Sequence, residues 1–449
     1  MTFNADVVAR ADAVAAEAIE DVRRSLGTEA ATVVKAPAGA GKSYFVGSAV
    51  GRLRADHARV AVCAPTNEQA YGLVASIARR YPQETVTFVP ASDRVLPQET
   101  SQLANVVTAD ALTASGANLI VGTIDKLGSA TASLGRFDAL LMDESFQADA
   151  GRYYRVGDLA PTHLLVGDSG QLNPFSTMDR PDRWRGLAED PLQTAVGVLL
   201  RNYPATKVHP FPISRRLDPR AVALARGFYP GHDFEAAVLP GVRQLRVMPA
   251  VASDPRTRVL DRVIDLAADA GWAHLELPQA PVLTADPATI TTIVDIVRRI
   301  SQRGPKICGE YTSNFVALRP SQIAVGVSHN DQKDHLRAEL DAAGFREIVV
   351  NTANKLQGLQ FDLVIAWHPL AGLPDPDGFH LDPGRLCVLL TRHRQACIVV
   401  GRESDRSLVD GLPPSTPAYL GWDPDPVLDG WAVHQSVFAS LERHRVTAT

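Results

Sequence analysis

Thr32-Val33-Val34-Lys35-Ala36-Pro37-Ala38-Gly39-Ala40-Gly41-Lys42-Ser43 is the stretch on which the fold turns. Its β-branched start predicts a strand, and the next residues are almost all small. Gly41-Lys42-Ser43 then opens a helix-like run from Tyr44 to Arg54. A phosphate group needs several backbone N–H groups converging on it, and only small residues let the chain approach that closely. In such a loop a lysine reaches the β- and γ-phosphates and a serine hydroxyl ligates Mg²⁺. Only seven of the 45 basic residues are lysines, so a lysine at this position carries information.

A phosphate loop of this kind requires an acid to hold the metal. Phe137-Asp138-Ala139-Leu140-Leu141-Met142-Asp143-Glu144 provides it, as an apolar strand ending in two carboxylates. Asp143 is expected to hold Mg²⁺ with Ser43, and Glu144 to orient and deprotonate the attacking water. Ligands of an open α/β sheet bind at the carboxyl ends of its strands, where these groups would lie.

Further short apolar runs, each followed by turn residues and a helical stretch, occur at 60–63, 119–121, 164–166, 323–327, 363–366 and 397–400. The alternation predicts an α/β protein with parallel sheets. The runs fall into two groups either side of a Pro/Arg-rich region, 181–219, so two domains are expected, 1–205 and 206–402. Residues 403–449 read as a third segment, a Pro-rich connection (412–426) leading to a final helix. The chain has 449 residues and a formal charge of −5, which excludes a globally basic nucleic-acid binder; any strand contact must come from a local channel. Four cysteines without metal spacing, no long apolar run and no leader-like N-terminus suggest a cytoplasmic protein with no membrane partner.

In this order the segments resemble the superfamily 1 helicases over residues 30–402. Ala36–Ser43 resembles motif I, Ala64–Ala70 motif Ia, Val121–Leu127 motif Ic, Asp143–Gln147 motif II and Val166–Pro174 motif III. In the second half Ile213–Pro219 resembles motif IV, Val350–Asp362 motif V and Arg385–Arg394 motif VI. The resemblance implies two RecA-like P-loop NTPase domains, parallel sheets flanked by helices, with ATP and Mg²⁺ in the cleft between them. Pro37, Ala38, Gly39, Ala40, Gly41, Lys42 and Ser43 would hold the phosphates, and Gln357, Gly358 and Gln360 would lie near the nucleotide. Gln171 would sense the γ-phosphate, with Arg216 and Arg392 reaching it from the second domain as arginine fingers.

The same resemblance implies that Pro65, Thr66, Asn67, Thr123, Ser328 and Thr352 line a groove for single-stranded DNA or RNA, with Phe175 stacking on a base. Taken alone, a Pro-Thr-Asn turn is usually only a helix cap. Gln171-Leu172-Asn173-Pro174 is closer to the Gln-Leu-Pro-Pro form of the 5′-to-3′ branch, superfamily 1B, which implies movement in that direction. Residues 221–304 are the obvious room for extra structure. The alternative function is a regulatory NTPase whose cleft closure signals to a protein partner; a protein that loads the motor is not identifiable from the sequence.

Overall fold

The computed structural model describes the chain except residues 1, 92–93, 175–177, 179–180, 185–186, 188–189, 252–253, 281–284, 412–427 and 449. Phe175 and the Pro-rich connection 412–426 therefore lie outside the described residues.

Two all-parallel sheets organise the molecule. The first has eight strands in the order Val106–Thr108, Val86–Val89, Leu119–Thr123, Val60–Ala64, Ala139–Met142, Thr162–Gly167, Ala30–Lys35 and Lys207–Pro210. The second has six, Val349–Thr352, Ile323–Val327, Phe361–Trp367, His393–Arg402, Trp272–Leu277 and Arg445–Thr447. Alternate residues of the first sheet feed two separate cores. Val34, Val62, Val121 and Leu141 pack on one face, and Val33, Cys63, Ile120 and Met142 on the other. Burial on both faces is why these strands read as continuous apolar runs, and it is the mark of helices covering each side.

Three expectations are corrected. Lys207–Pro210 pairs with Ala30–Lys35, so the first lobe continues past 205. The strand is exposed at all but His209 and ends in proline, which hides its signal. Arg445–Thr447 pairs with Trp272–Leu277, so the segment expected to stand apart, 403–449, contributes its last described strand to the second lobe's sheet. Residues 221–304 hold the helices Pro255–Ala270 and Pro287–Gln302 and the strand between them, which are second-lobe core. The true addition is a three-stranded antiparallel sheet of Gln244–Arg246, Lys306–Gly309 and Thr312–Ala317.

The lobes meet in a shared apolar joint, where Ala38 and Leu172 of the first pack among Tyr229, Leu386 and Val388. Contact there is close enough to need glycine: a Cβ at Gly384 would come within 2.7 Å of the Gln171 carbonyl oxygen. Among the described residues no helix is long and apolar enough to cross a membrane.

Candidate active site

The loop after Ala30–Lys35 enters the helix Lys42–Ala55 through two glycines in the left-handed region, Gly39 at φ 76° and Gly41 at φ 94°. Other residues resist that conformation, which explains glycine here. The loop is braced from outside. Ser214 Oγ donates to the Ala38 carbonyl at 2.6 Å, and Arg215 N–H donates to the Gly39 carbonyl at 2.8 Å. Arg216 passes so near that a Cβ on Gly39 would lie 2.3 Å from the Arg216 Cβ.

Asp143 and Glu144 follow the strand Ala139–Met142, and both are buried. Ser43 Oγ donates to Asp143 Oδ2 at 3.1 Å, so a hydroxyl and a carboxylate meet at one point. These hard oxygens fit Mg²⁺, which prefers few protein oxygens and keeps its waters. Burial, and then the charge of Glu144, push the Asp143 carboxyl well above the usual carboxylate range, a penalty that a bound cation would relieve. Glu144 adopts φ 54°, costly for a non-glycine residue at about 1–3 kcal/mol. Its N–H is held by Asp143 Oδ1 at 3.0 Å, and the turn brings Glu144 Oε1 to 3.3 Å from Lys42 Nζ.

Lys42 also lies 3.5 Å from Asp168 Oδ2, and the Gln171 amide donates to that same oxygen. Burial opposes the Lys42 charge, but Glu144, Asp168 and Asp143 more than offset it and raise its pKa. Asp168 belongs to a segment resembling motif III, yet its role as the lysine's second partner was not anticipated. An acid directly after a buried strand was the available signal.

Arg392 precedes the strand His393–Arg402 and is 1% exposed. Its Nη2 donates to Thr391 Oγ1 at 3.0 Å, while Arg216 Nη1 donates to the Thr391 carbonyl at 3.2 Å. The buried Nε atoms of both arginines have no partner. Buried donors are nearly always satisfied, so two orphaned guanidinium N–H groups beside the phosphate loop fit an anionic ligand. Burial, then the like charge of Arg392, depress Arg216 to about 9; burial also lowers Arg392. Arg216 was expected on the second lobe, across the cleft. It instead lies at the joint, with its backbone against the phosphate loop and its guanidinium on Thr391.

A cleft of about 710 Å³ gathers these groups. Gly39, Ala40, Gly41, Lys42, Ser43, Glu144, Gln171, Arg216, Gly358, Gln360 and Arg392 all line it. Ala38 does not: it is fully buried, and its N–H donates to the Tyr229 hydroxyl at 3.0 Å. Pro37 and Gln357 are not among the lining residues, and the Gln357 amide nitrogen is buried without a partner. Sequence reasoning also missed the buried pair that braces the backbone at Arg216. Arg243 donates to the carbonyls of Arg215 and Arg216 and holds both oxygens of Glu310, at 2.6 and 2.9 Å. Glu310 in turn holds Arg394 at 2.7 Å, so that arginine, two positions after Arg392 in the sequence, is committed.

The expected strand-groove residues lie at the carboxyl edges of the two sheets. Thr66 and Thr123 cap helices, accepting from Gln69 N–H and Lys126 N–H at 3.3 and 3.2 Å, and Pro65 accepts from Arg152 at 3.0 Å. Ser328 directly follows the strand Ile323–Val327, and Thr352 ends its neighbour Val349–Thr352. Asn67 Oδ1 and Ser328 Oγ are buried without partners.

Residues 14–178 match a family model described as an AAA domain, and residues 283–404 match a second model with the same description. No curated protein matches the chain. Solved structures similar to it include the arterivirus nonstructural protein 10 helicase in complex with DNA, at 13% identity and TM-score 0.42, covering 87% of this chain and 63% of that one. Another is the PRRSV helicase, at 13% identity and TM-score 0.41, covering 90% of this chain and 58% of that one. The chain thus spans about three fifths of the length of these proteins. Each AAA-domain match falls on one of the two parallel-sheet lobes, in the order in which the motif series runs.

Proposed function

We propose that the protein is an ATP-driven translocase or helicase on single-stranded nucleic acid, using Mg²⁺ and moving 5′ to 3′. The observation that carries this reading is the single cleft lined by Lys42 and Glu144 of one lobe and Arg392 of the other. Water attacks the γ-phosphorus and passes its proton to Glu144. The bond to the bridging oxygen breaks, and the charge that develops there and on the γ-oxygens is met by Lys42, Arg216 and Arg392. Ser43 and Asp143 would hold Mg²⁺, which supplies Lewis-acid stabilisation of the phosphate oxygens. Because Arg392 belongs to the second lobe, hydrolysis is tied to the separation of the lobes. A strand held at both carboxyl edges, by Thr66, Asn67 and Thr123 on one and Ser328 and Thr352 on the other, would then be stepped along. The orphaned Asn67 and Ser328 oxygens support a ligand at those edges.

The test is steady-state ATP hydrolysis with and without single-stranded DNA or RNA. Stimulation by either strand is expected, and turnover that neither strand changes overturns the reading. Displacement of streptavidin from one end of a biotinylated strand, but not the other, assigns the direction.

A further inference from the structure

Tyr229 belongs to no motif, yet it touches three of them. It follows the short turn Arg226–Phe228 and is 3% exposed. Its hydroxyl accepts the Ala38 N–H of the phosphate loop at 3.0 Å. The same oxygen lies 3.6 Å from Cys387 Sγ, on the helix Pro383–Leu390 that leads to Arg392. The charge of Asp168, the carboxylate that holds Lys42 and Gln171, also acts on the hydroxyl, and Gly170, whose N–H donates to Asp168 Oδ1 at 3.1 Å, packs against the tyrosine ring. The ring is locked in place: it meets Phe234 edge-on at 5.3 Å, and a Cβ on Gly170 would come 2.5 Å from Tyr229 Cε1.

A tyrosine that only fills a core needs one partner for its hydroxyl. This one takes an N–H from the first lobe's loop, lies by the Cys387 thiol of the second, and feels the charge of the carboxylate that holds the site's lysine and glutamine. Burial, then the Asp168 charge, push the phenol well above its ordinary range, so it stays a proton donor. Hydrogen bonds in such a chain polarise one another, and a change at one end is felt at the other.

We propose that Tyr229 is a positioning residue that couples the phosphate loop to the arginine-bearing lobe, through Ala38 on one side and Asp168 and the Cys387 helix on the other. A triphosphate that draws Lys42 away from Asp168 changes what the tyrosine hydroxyl faces, and the Pro383–Leu390 helix behind Arg392 moves with it. The inference rests on the hydrolysis reading above.

Tyr229→Phe keeps the ring and removes one oxygen. We expect kcat to fall about tenfold or more while the Kd for a fluorescent ATP analogue changes less than about threefold, with strand stimulation falling towards none. Tyr229→Phe and Asp168→Asn are expected to be non-additive in kcat, because both break one network. A purely structural tyrosine would lower the melting temperature and leave kcat and the stimulation ratio alone; that result, or additive losses, overturns the proposal. If Tyr229→Phe does not fold, Asp168→Asn alone must show the same split between kcat and Kd, and an Asp168→Asn enzyme with parental kcat overturns it. If the parent protein hydrolyses ATP without strand stimulation, the translocase reading fails while the kcat comparison still tests Tyr229.

Discussion

Gly39→Ala is the substitution whose outcome the structure fixes most closely. The residue sits at φ 76°, and an added Cβ would lie 2.3 Å from the Arg216 Cβ and 3.0 Å from both the Arg216 nitrogen and Ser214 Oγ. The left-handed conformation costs a non-glycine residue about 1–2 kcal/mol. Forcing a methyl into a packed site costs about 1–3 kcal/mol more, because the Arg216 Cβ is fixed by its backbone and no rotamer change moves it away. Together they amount to about 2–5 kcal/mol. Gly41→Ala supplies the control: its φ is 94°, but the nearest foreign atom, Arg215 Cδ, is 3.7 Å away, so only the conformational part applies. Denaturant midpoints without nucleotide are expected to show both variants destabilised, Gly39→Ala by about 1–3 kcal/mol more. Relief of the clash pushes Arg216 off the loop, so turnover falls as well, by about tenfold for each 1.4 kcal/mol of lost transition-state stabilisation. Equal midpoints for the two variants, or parental turnover in Gly39→Ala, would refute the packing argument.

Glu144→Gln should lower turnover by about 10²–10⁴ with nucleotide still bound, since the amide cannot take the water proton; single-turnover hydrolysis at the parental rate would remove Glu144 from that role. Arg392→Ala should lower kcat by about 10³ or more, as loss of an arginine finger does. Arg394→Ala should cost much less, because Glu310 already holds that side chain; a reversed order in hydrolysis assays would exchange their roles. Burial alone would raise Glu310, but Arg243 and Arg394 more than offset it and hold the carboxyl at about 2, below its ordinary 4.5. A depressed carboxylate stabilises the fold above its unfolded pKa and loses that contribution as pH falls through the folded value. The stability gap between the parent and Glu310→Gln is therefore expected to hold above pH 4.5 and shrink towards pH 2; a gap independent of pH in denaturant titrations would contradict the pairing.

Much of the chemistry was legible because it is local. A loop of small residues, a lysine and a serine in succession, and two carboxylates after an apolar strand each announce themselves within a dozen residues. The eight apolar runs named from sequence all lie in strands of the two sheets, since burial on both faces writes itself as an unbroken apolar run. The missed strands are the short or weakly patterned ones. Val106–Thr108 and Arg445–Thr447 have three residues each, too few to show a period.

The sequence by itself determined that Lys42, Ser43, Asp143 and Glu144 converge, because loop, lysine, serine and acids are set by contiguous residues and by the strand tips that carry them. Only the tertiary structure decided how the second lobe is brought to bear. Arg216 lies against Gly39; Arg243, itself paired with Glu310, holds the carbonyls of Arg215 and Arg216; and the Tyr229 hydroxyl reaches Ala38 across 191 positions of chain. Those contacts depend on where distant segments pack, and a buried hydrogen bond between remote residues leaves no periodicity in the sequence.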